Sequence, residues 1–103
     1  MDNPEQRFPK IFDFDDRLIR FAGESILFSR KLDKTFENDY NKNQLIHFSG
    51  SASLNYGEAQ GTITDKDFVF KISLSVKGLK ESRNSLKSLI IIKLGVNKRE
   101  LIY

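Results

Sequence analysis

Apolar residues recur every three or four positions in two long segments of the chain, a spacing that predicts α-helices, and a further helix is predicted between them. In the first segment Asp13 can cap the helix, Asp15 and Asp16 suit its positive end, and we expect it to end near Asp33. Its apolar row comprises Phe14, Leu18, Phe21, Ala22, Ser25, Phe28 and Leu32, widened by Ile11, Ile19 and Ile26. A face this wide predicts contact with more than one neighbour.

A polar connection over Asp33–Lys42 is expected to follow, with Phe36 and Tyr40 as its anchors. The second helix is predicted to begin near 41–43 and to end at Gly61. Its large apolar residues are spread around the helix axis, which predicts burial on more than one side.

The second helix is also unusually rich in small residues. Glycine costs about 1 kcal/mol relative to alanine in a helix interior. Gly50 and Gly57 are therefore expected to allow close approach of a neighbouring backbone, together with Ser53.

The third predicted helix has the clearest boundaries. Thr64 and Asp67 match a capping box, and Gly95 suits the end of a helix that runs from Asp65 to about Lys93. Its predicted core-facing row comprises Phe68, Ile72, Val76, Leu79, Leu86 and Ile90.

Asn97 and Glu100 indicate the start of a fourth helix, which stops at Tyr103 after about two turns. A stub of this length cannot cover the apolar face of the long third helix. We therefore expect three helices plus a stub, or a second subunit that covers the remainder. Met1–Lys10 holds both prolines and is expected to be a flexible arm of a single domain over 1–103.

Composition narrows the class of protein. The chain has 103 residues, of which 39% are hydrophobic and 30% charged, ordinary values for a globular domain. It has no cysteine, which excludes disulfides and thiolate metal sites. It also has no apolar run long enough to span a membrane and no secretory signal, so a cytoplasmic protein is expected.

The sequence contains no constellation typical of catalysis. His47 is the sole histidine, and a lone histidine on a helix is usually a surface or half-buried polar residue. Zinc-protease, phosphate-loop and nucleophile-elbow motifs are absent. We expect a protein that is not an enzyme, with no catalytic residue, cofactor or metal.

Asn55 and Glu58 lie three residues apart and so share one face of the second helix. Such a polar pair can bond to a neighbouring helix and set its register, or it can line a ligand site. The structural interpretation is favoured, with Lys71, Lys66 and Arg20 as candidate partners.

The net charge of +3 permits a polyanionic partner without requiring one. On one subunit the basic residues are explained by a solvated face, whereas a ring would repeat them and concentrate phosphate contacts. No aromatic residue interleaves with them, so binding by base stacking is weakly supported. The candidate nucleic-acid-binding residues are Lys77, Lys80, Arg83 and Lys87 of the third helix, with Arg30 and Lys34.

One family resemblance extends over about Phe14–Tyr103. It rests on Gln44-Leu45-Ile46, Ser51, Asn55, Glu58 and Ala59, followed by Lys66-Asp67-Phe68, Lys71, Lys77 and Glu81. In these residues the chain resembles the small bacterial four-helix-bundle proteins called ribosomal-RNA intervening-sequence proteins. It departs from their pattern at His47, Gly57 and Gly78 and in the short fourth helix.

The resemblance implies an all-α, up-and-down antiparallel four-helix bundle with a short fourth helix, assembled as a homopentamer. Related accessory proteins of diversity-generating retroelements are thought to bind nucleic acid and a reverse transcriptase. The expected function is self-association into a ring, with RNA or DNA bound by basic helix faces. The alternative is a scaffold or adaptor that binds a protein partner through its exposed apolar face.

Overall fold

Three α-helices make up the part of the chain that the computed structural model describes, residues 14–95. They are α1 (Phe14–Arg30), α2 (Phe36–Ala59) and α3 (Asp65–Leu94). These residues contain no strand, and the all-α prediction is confirmed for them. The predicted arm over 1–10, the Asp13 cap and the predicted fourth helix lie outside the described residues.

The helix α2 lies between the other two and packs against both. Close contacts join Leu32 after α1, Leu45 early in α2 and Leu89 late in α3, so consecutive helices run antiparallel. No Cα atom of α1 lies within 8 Å of a Cα atom of α3. The backbones of α1 and α3 are therefore not in close contact.

The start of α2 corrects the predicted connection over 33–42. Thr35 is the N-cap, and its Oγ1 accepts a hydrogen bond from the Asn38 backbone N–H at 3.1 Å. Asn38 Nδ2 donates to the Asp33 carbonyl at 2.8 Å, which fastens the connection to the first turn. The helix thus begins at Phe36, because these caps supply the hydrogen bonds that its first turn lacks.

The predicted anchors of that connection are also wrong. Phe36 is 85% exposed and Tyr40 is 58% exposed, and both belong to α2. At its other end α2 stops at Ala59, and backbone turns carry the chain through Gly61. The first helix likewise ends at Arg30, three residues before the predicted end, in a turn closed by hydrogen bonds from Lys31 and Leu32.

The predicted boundaries of α3 are confirmed. Thr64 Oγ1 accepts a hydrogen bond from the Asp67 backbone N–H at 3.1 Å. Gly95 has a φ of 64°, a left-handed conformation that favours glycine. Its N–H donates to the carbonyls of Ile91 and Ile92, which ends the helix after Leu94.

The contact between α2 and α3 is a seam of mostly small residues, with Leu45 and Leu89 at one end. On α3 the buried positions repeat at intervals of three and four residues, as in an antiparallel helix pair. They are Ser75, Gly78, Ser82, Ser85 and Leu89. The buried positions of the opposing part of α2 are Leu45, Ser49, Ala52 and Ala59.

This seam corrects the core-facing row predicted for α3. The buried residues Ser75, Gly78 and Leu89 each stand one position before Val76, Leu79 and Ile90 of the predicted row. One residue turns the helix by about 100°, so the large apolar side chains lie beside the seam instead of in it. Val76 and Ile90 are each 43% exposed.

The tightest point of the seam is Gly78. A Cβ added there would lie 2.9 Å from the Phe48 carbonyl oxygen and 3.1 Å from the Ala52 nitrogen. One turn earlier, Ser75 Oγ donates to the Ala52 carbonyl at 2.7 Å across the two helices. Together these contacts set the register of α3 on α2, because both depend on the position of Ala52.

We expect Gly78→Ala to destabilise the fold, although alanine is the better helix former. The new Cβ would meet backbone atoms, so the helices must separate, and overpacking of this kind typically costs about 1–3 kcal/mol. Gly23→Ala is the matched control, because a Cβ at Gly23 meets nothing within 4 Å. It should stabilise α1 by up to about 1 kcal/mol. Urea unfolding followed by circular dichroism measures both, and a Gly78→Ala variant as stable as the wild type would contradict the close contact.

Candidate functional site

The six basic residues named from the sequence fall on two separate surfaces. Lys77, Lys80, Arg83 and Lys87 are exposed along the outward side of α3, and we call them the basic row. No described carboxylate lies within ion-pairing distance of the basic row, since the ion pairs within residues 14–95 join Lys42 to Asp39 and Lys71 to Glu58.

Arg30 and Lys34 lie elsewhere, at an outer surface formed by α1 and α2. They line a cavity of about 570 Å³ together with Lys42, which pairs with Asp39 at 3.4 Å. Its apolar lining is Ile26 and Ile46, which are 39% and 36% exposed. We call Ile26, Ile46 and the neighbouring Ile19 the outer patch. The structure thus separates Arg30 and Lys34 from the basic row.

Asn55 and Glu58 act differently from each other. Of the three candidate cations, Lys71 reaches Glu58, with 2.8 Å between Nζ and Oε1, and this pair joins α3 to α2. Asn55 Nδ2 instead donates to the carbonyl and hydroxyl oxygens of Ser51 in its own helix. Asn55 therefore does not make the hydrogen bond across helices that the sequence suggested.

Close packing at Gly50, Ser53 and Gly57 is not found among residues 14–95. A Cβ at Gly50 or Gly57 would meet no heavy atom within 4 Å, and Ser53 is half-buried. The close approach occurs at Gly78 of α3, because the seam runs along the side of α2 that carries Ala52.

The surface between α1 and α3 is apolar. Phe28 and Leu86 both pack against the Leu32, Leu45 and Leu89 cluster, one from each helix. Seven-residue spacing places Phe21 and Phe14 in line with Phe28 on α1. On α3 the row of Phe68, Ile72, Val76, Leu79 and Ile90 continues from Leu86. We call the surface between these two rows the apolar groove.

The apolar groove is only partly covered by the described residues. Phe14, Phe68, Val76 and Ile90 are each between 43% and 45% exposed, and the remaining members of the two rows are half-buried. The Phe14 ring contacts the Tyr56 ring of α2, with centroids 5.4 Å apart, which places it at one end of the groove.

A second groove, not predicted from the sequence, lies on the opposite side of the α2–α3 pair. Tyr40, Asn41, Gln44 and Phe48 of α2 line it together with Glu81 and Asn84 of α3, around a cavity of about 480 Å³. It continues past Phe48 and Glu81 to His47 and Lys77. We call it the polar groove. The four-residue spacing of Tyr40, Gln44 and Phe48 could have indicated it.

The remaining features of the described residues concern His47, metal-binding side chains and the length of the helices. His47 is exposed, and its ring meets Phe48 edge-on with centroids 5.2 Å apart. Within residues 14–95 no three histidine or acidic side chains are grouped so that they could hold a metal ion. None of α1, α2 and α3 is long and apolar enough to cross a membrane.

Comparison of the chain with protein-family models, with curated proteins and with solved structures finds no match. The resemblance to the intervening-sequence proteins stays a prediction, and the functional argument rests on the three surfaces above.

The ion pair between Glu58 and Lys71 should contribute little to stability. Both side chains are more than 30% exposed, and pairs of this kind are typically worth about 0.2–1 kcal/mol. A double-mutant cycle with Glu58→Gln and Lys71→Met, measured by urea unfolding, should give a coupling energy in this range that falls as salt is added. A coupling well above this range, unaffected by salt, would show that the pair is shielded from solvent.

Proposed function

We propose that this chain is an assembly protein whose copies associate through the apolar groove. The observation that carries the proposal is the pair of half-exposed apolar rows on α1 and α3. An apolar surface of this length is costly to leave in water, and large exposed apolar patches usually mark protein interaction sites. The groove follows α3 along much of its length of about 45 Å.

A helix is the element that fits such a groove. The two rows lie on α1 and α3, which both pack antiparallel to α2. A helix laid between α1 and α3 would complete the predicted four-helix bundle. It would bury Phe14, Phe68, Val76 and Ile90 against its own apolar face.

We propose that a second copy of this chain supplies the covering surface. The chain carries another apolar surface, the outer patch, where Ile19, Ile26 and Ile46 are 54%, 39% and 36% exposed. Two different surfaces that fit each other make a head-to-tail contact. Such contacts close into a ring when the rotation between successive copies permits it. The predicted homopentamer is one such ring.

Ile90→Glu should lower the solution mass measured by light scattering after size exclusion. Ile90 is 43% exposed in one chain, so a carboxylate there is hydrated in the monomer and must lose that hydration on association. The matched control is Ile91→Glu, the same change one residue further along α3 at a side chain that is 38% exposed and faces another direction. Equal masses for all three proteins would contradict association through the groove.

Ile26→Glu tests the outer patch by the same measurement of solution mass. Its control is Leu27→Glu, the same change at the exposed neighbouring residue. In a head-to-tail assembly, Ile90→Glu and Ile26→Glu each damage one half of the contact. A mixture of the two variants then has one intact contact and should form a dimer. If Ile26→Glu assembles as the wild type does, the groove instead contacts another groove.

Binding of RNA or DNA is a second candidate function, supported by the basic row. Four exposed cations lie on one side of α3, and no described carboxylate pairs with them. Phosphate contacts from such a row are electrostatic and add up when copies of the row are brought together. A protein partner bound in the apolar groove is the alternative to self-association, and the mass measurement distinguishes them.

Nucleic-acid binding through the basic row should be steeply dependent on salt. Four phosphate contacts predict a slope of roughly −3 for the logarithm of affinity against the logarithm of salt concentration. Lys80→Glu with Arg83→Glu should weaken binding by more than about tenfold and reduce that slope by about half. Fluorescence anisotropy with labelled oligonucleotides measures both.

The control for that pair is Lys31→Glu with Lys93→Glu. These lysines are exposed and lie outside the basic row, and the control changes net charge equally. If the two double variants lose the same affinity, only the overall charge matters, and the basic row is not the binding surface.

A further inference from the structure

We propose that the polar groove binds single-stranded nucleic acid, with bases held between α2 and α3 and phosphates held by the basic row beside it. The inference rests on the nucleic-acid function proposed above and assigns it a second surface and a strand class. It follows from residues that the helix pair brings together although they are distant in sequence.

The first observation is an exposed aromatic ring at the edge of the groove. Tyr40 is 58% exposed, so its ring contributes little to the core of the described structure. Phe48 lies two turns further along the same side of α2 and is half-buried in the groove. Unpaired bases stack on exposed aromatic rings, which is how single strands are held without a fixed sequence.

The second observation is the polar chemistry of the lining. Gln44 and Asn84 face the groove from opposite helices, and neither side chain bonds to another residue within 14–95. A side-chain amide offers both donors and an acceptor, as the edges of bases do. Glu81 adds an acceptor of the kind that takes a hydrogen bond from an amino group of a base.

The third observation is the position of the basic row relative to this lining. Asn84 is four residues after Lys80 and three before Lys87, so it neighbours both on the surface of α3. Lys77 itself lines the continuation of the groove. A strand whose bases enter the groove would therefore place its backbone along these lysines.

This arrangement favours a single strand over a duplex. In a duplex the bases are stacked on each other and paired, so they are not free to stack on Tyr40 or to bond to Gln44 and Asn84. A duplex could use only the basic row. No aromatic residue interleaves with the basic residues along α3, and in this proposal α2 supplies the aromatic side chains while α3 supplies the cations.

The test compares labelled twelve-nucleotide single strands, in RNA and in DNA form, with a duplex of the same sequence, by fluorescence anisotropy at low salt. The wild type should bind a single strand at least about fivefold more tightly than the duplex. Tyr40→Ala should weaken single-strand binding by about five- to a hundredfold, the usual effect of losing one stacking ring. It should leave duplex binding unchanged.

Phe36→Ala is the matched control. It removes an aromatic ring from the same helix one turn earlier, at a residue that is 85% exposed and does not line the polar groove. Its affinity for single strands should equal that of the wild type.

Asn84→Asp is a second test variant, and its control is Asn43→Asp, which lies outside the groove. Asn84→Asp should weaken single-strand binding several-fold because a carboxylate repels phosphate.

The outcomes distinguish a failure of the polar-groove inference from a failure of the proposed nucleic-acid function. If Tyr40→Ala and Asn84→Asp bind single strands as the wild type does, while Lys80→Glu with Arg83→Glu does not, the basic row binds nucleic acid and the groove inference is wrong. Equal affinity of the wild type for single strand and duplex would also overturn it. If the wild type binds neither, both the function and the inference fail.

Discussion

The contact between Gly78 and the backbone of Ala52 determines how the rest of the described structure is arranged. Because no side chain separates the helices there, α2 and α3 approach closely, and Ser75 reaches the Ala52 carbonyl. Around Gly78 the helices meet through small residues and leave no space for large ones, whereas Leu45 and Leu89 fill one end of the seam. Val76 and Ile90 must then lie beside the seam, where they line the apolar groove. The exposed apolar surface is therefore a direct consequence of the tight helix pair.

The seam also limits what one chain can stabilise alone. Within residues 14–95 the large apolar side chains that are buried are Leu18, Leu32, Leu45 and Leu89. A fold with a core of this size is stabilised substantially by any partner that covers the apolar groove, because binding to the folded state shifts the folding equilibrium. Assembly and folding are therefore expected to be coupled.

The sequence predicts the positions of the helices better than it predicts which of their faces are buried. The capping residues Thr64 and Gly95 and the apolar spacing located α3 because these effects are local to one helix. The buried row could not be chosen this way, since the row of Ser75 and the row of Val76 have the same period and differ by one residue. Hydrophobicity favoured Val76, and the opposing backbone at Ala52 favoured Ser75. The polar groove was missed because its residues come together only when α2 and α3 pair.

The surfaces follow one another around α3. Passing outward from the seam, the apolar row of Leu79 and Ile90 comes first, then the basic row of Lys80 and Lys87, and then the polar groove at Asn84. Because about 100° separates successive residues, one helix can carry all of them, with Arg83 at the border of the apolar row, seven residues from both Val76 and Ile90. Association through the apolar groove would leave Lys77, Lys80 and Lys87 of the basic row and the polar groove uncovered. A ring would then repeat the cations around its axis and raise affinity for a polyanion, since phosphate contacts add. Nucleic-acid affinity should therefore depend on assembly, although different residues carry the two functions.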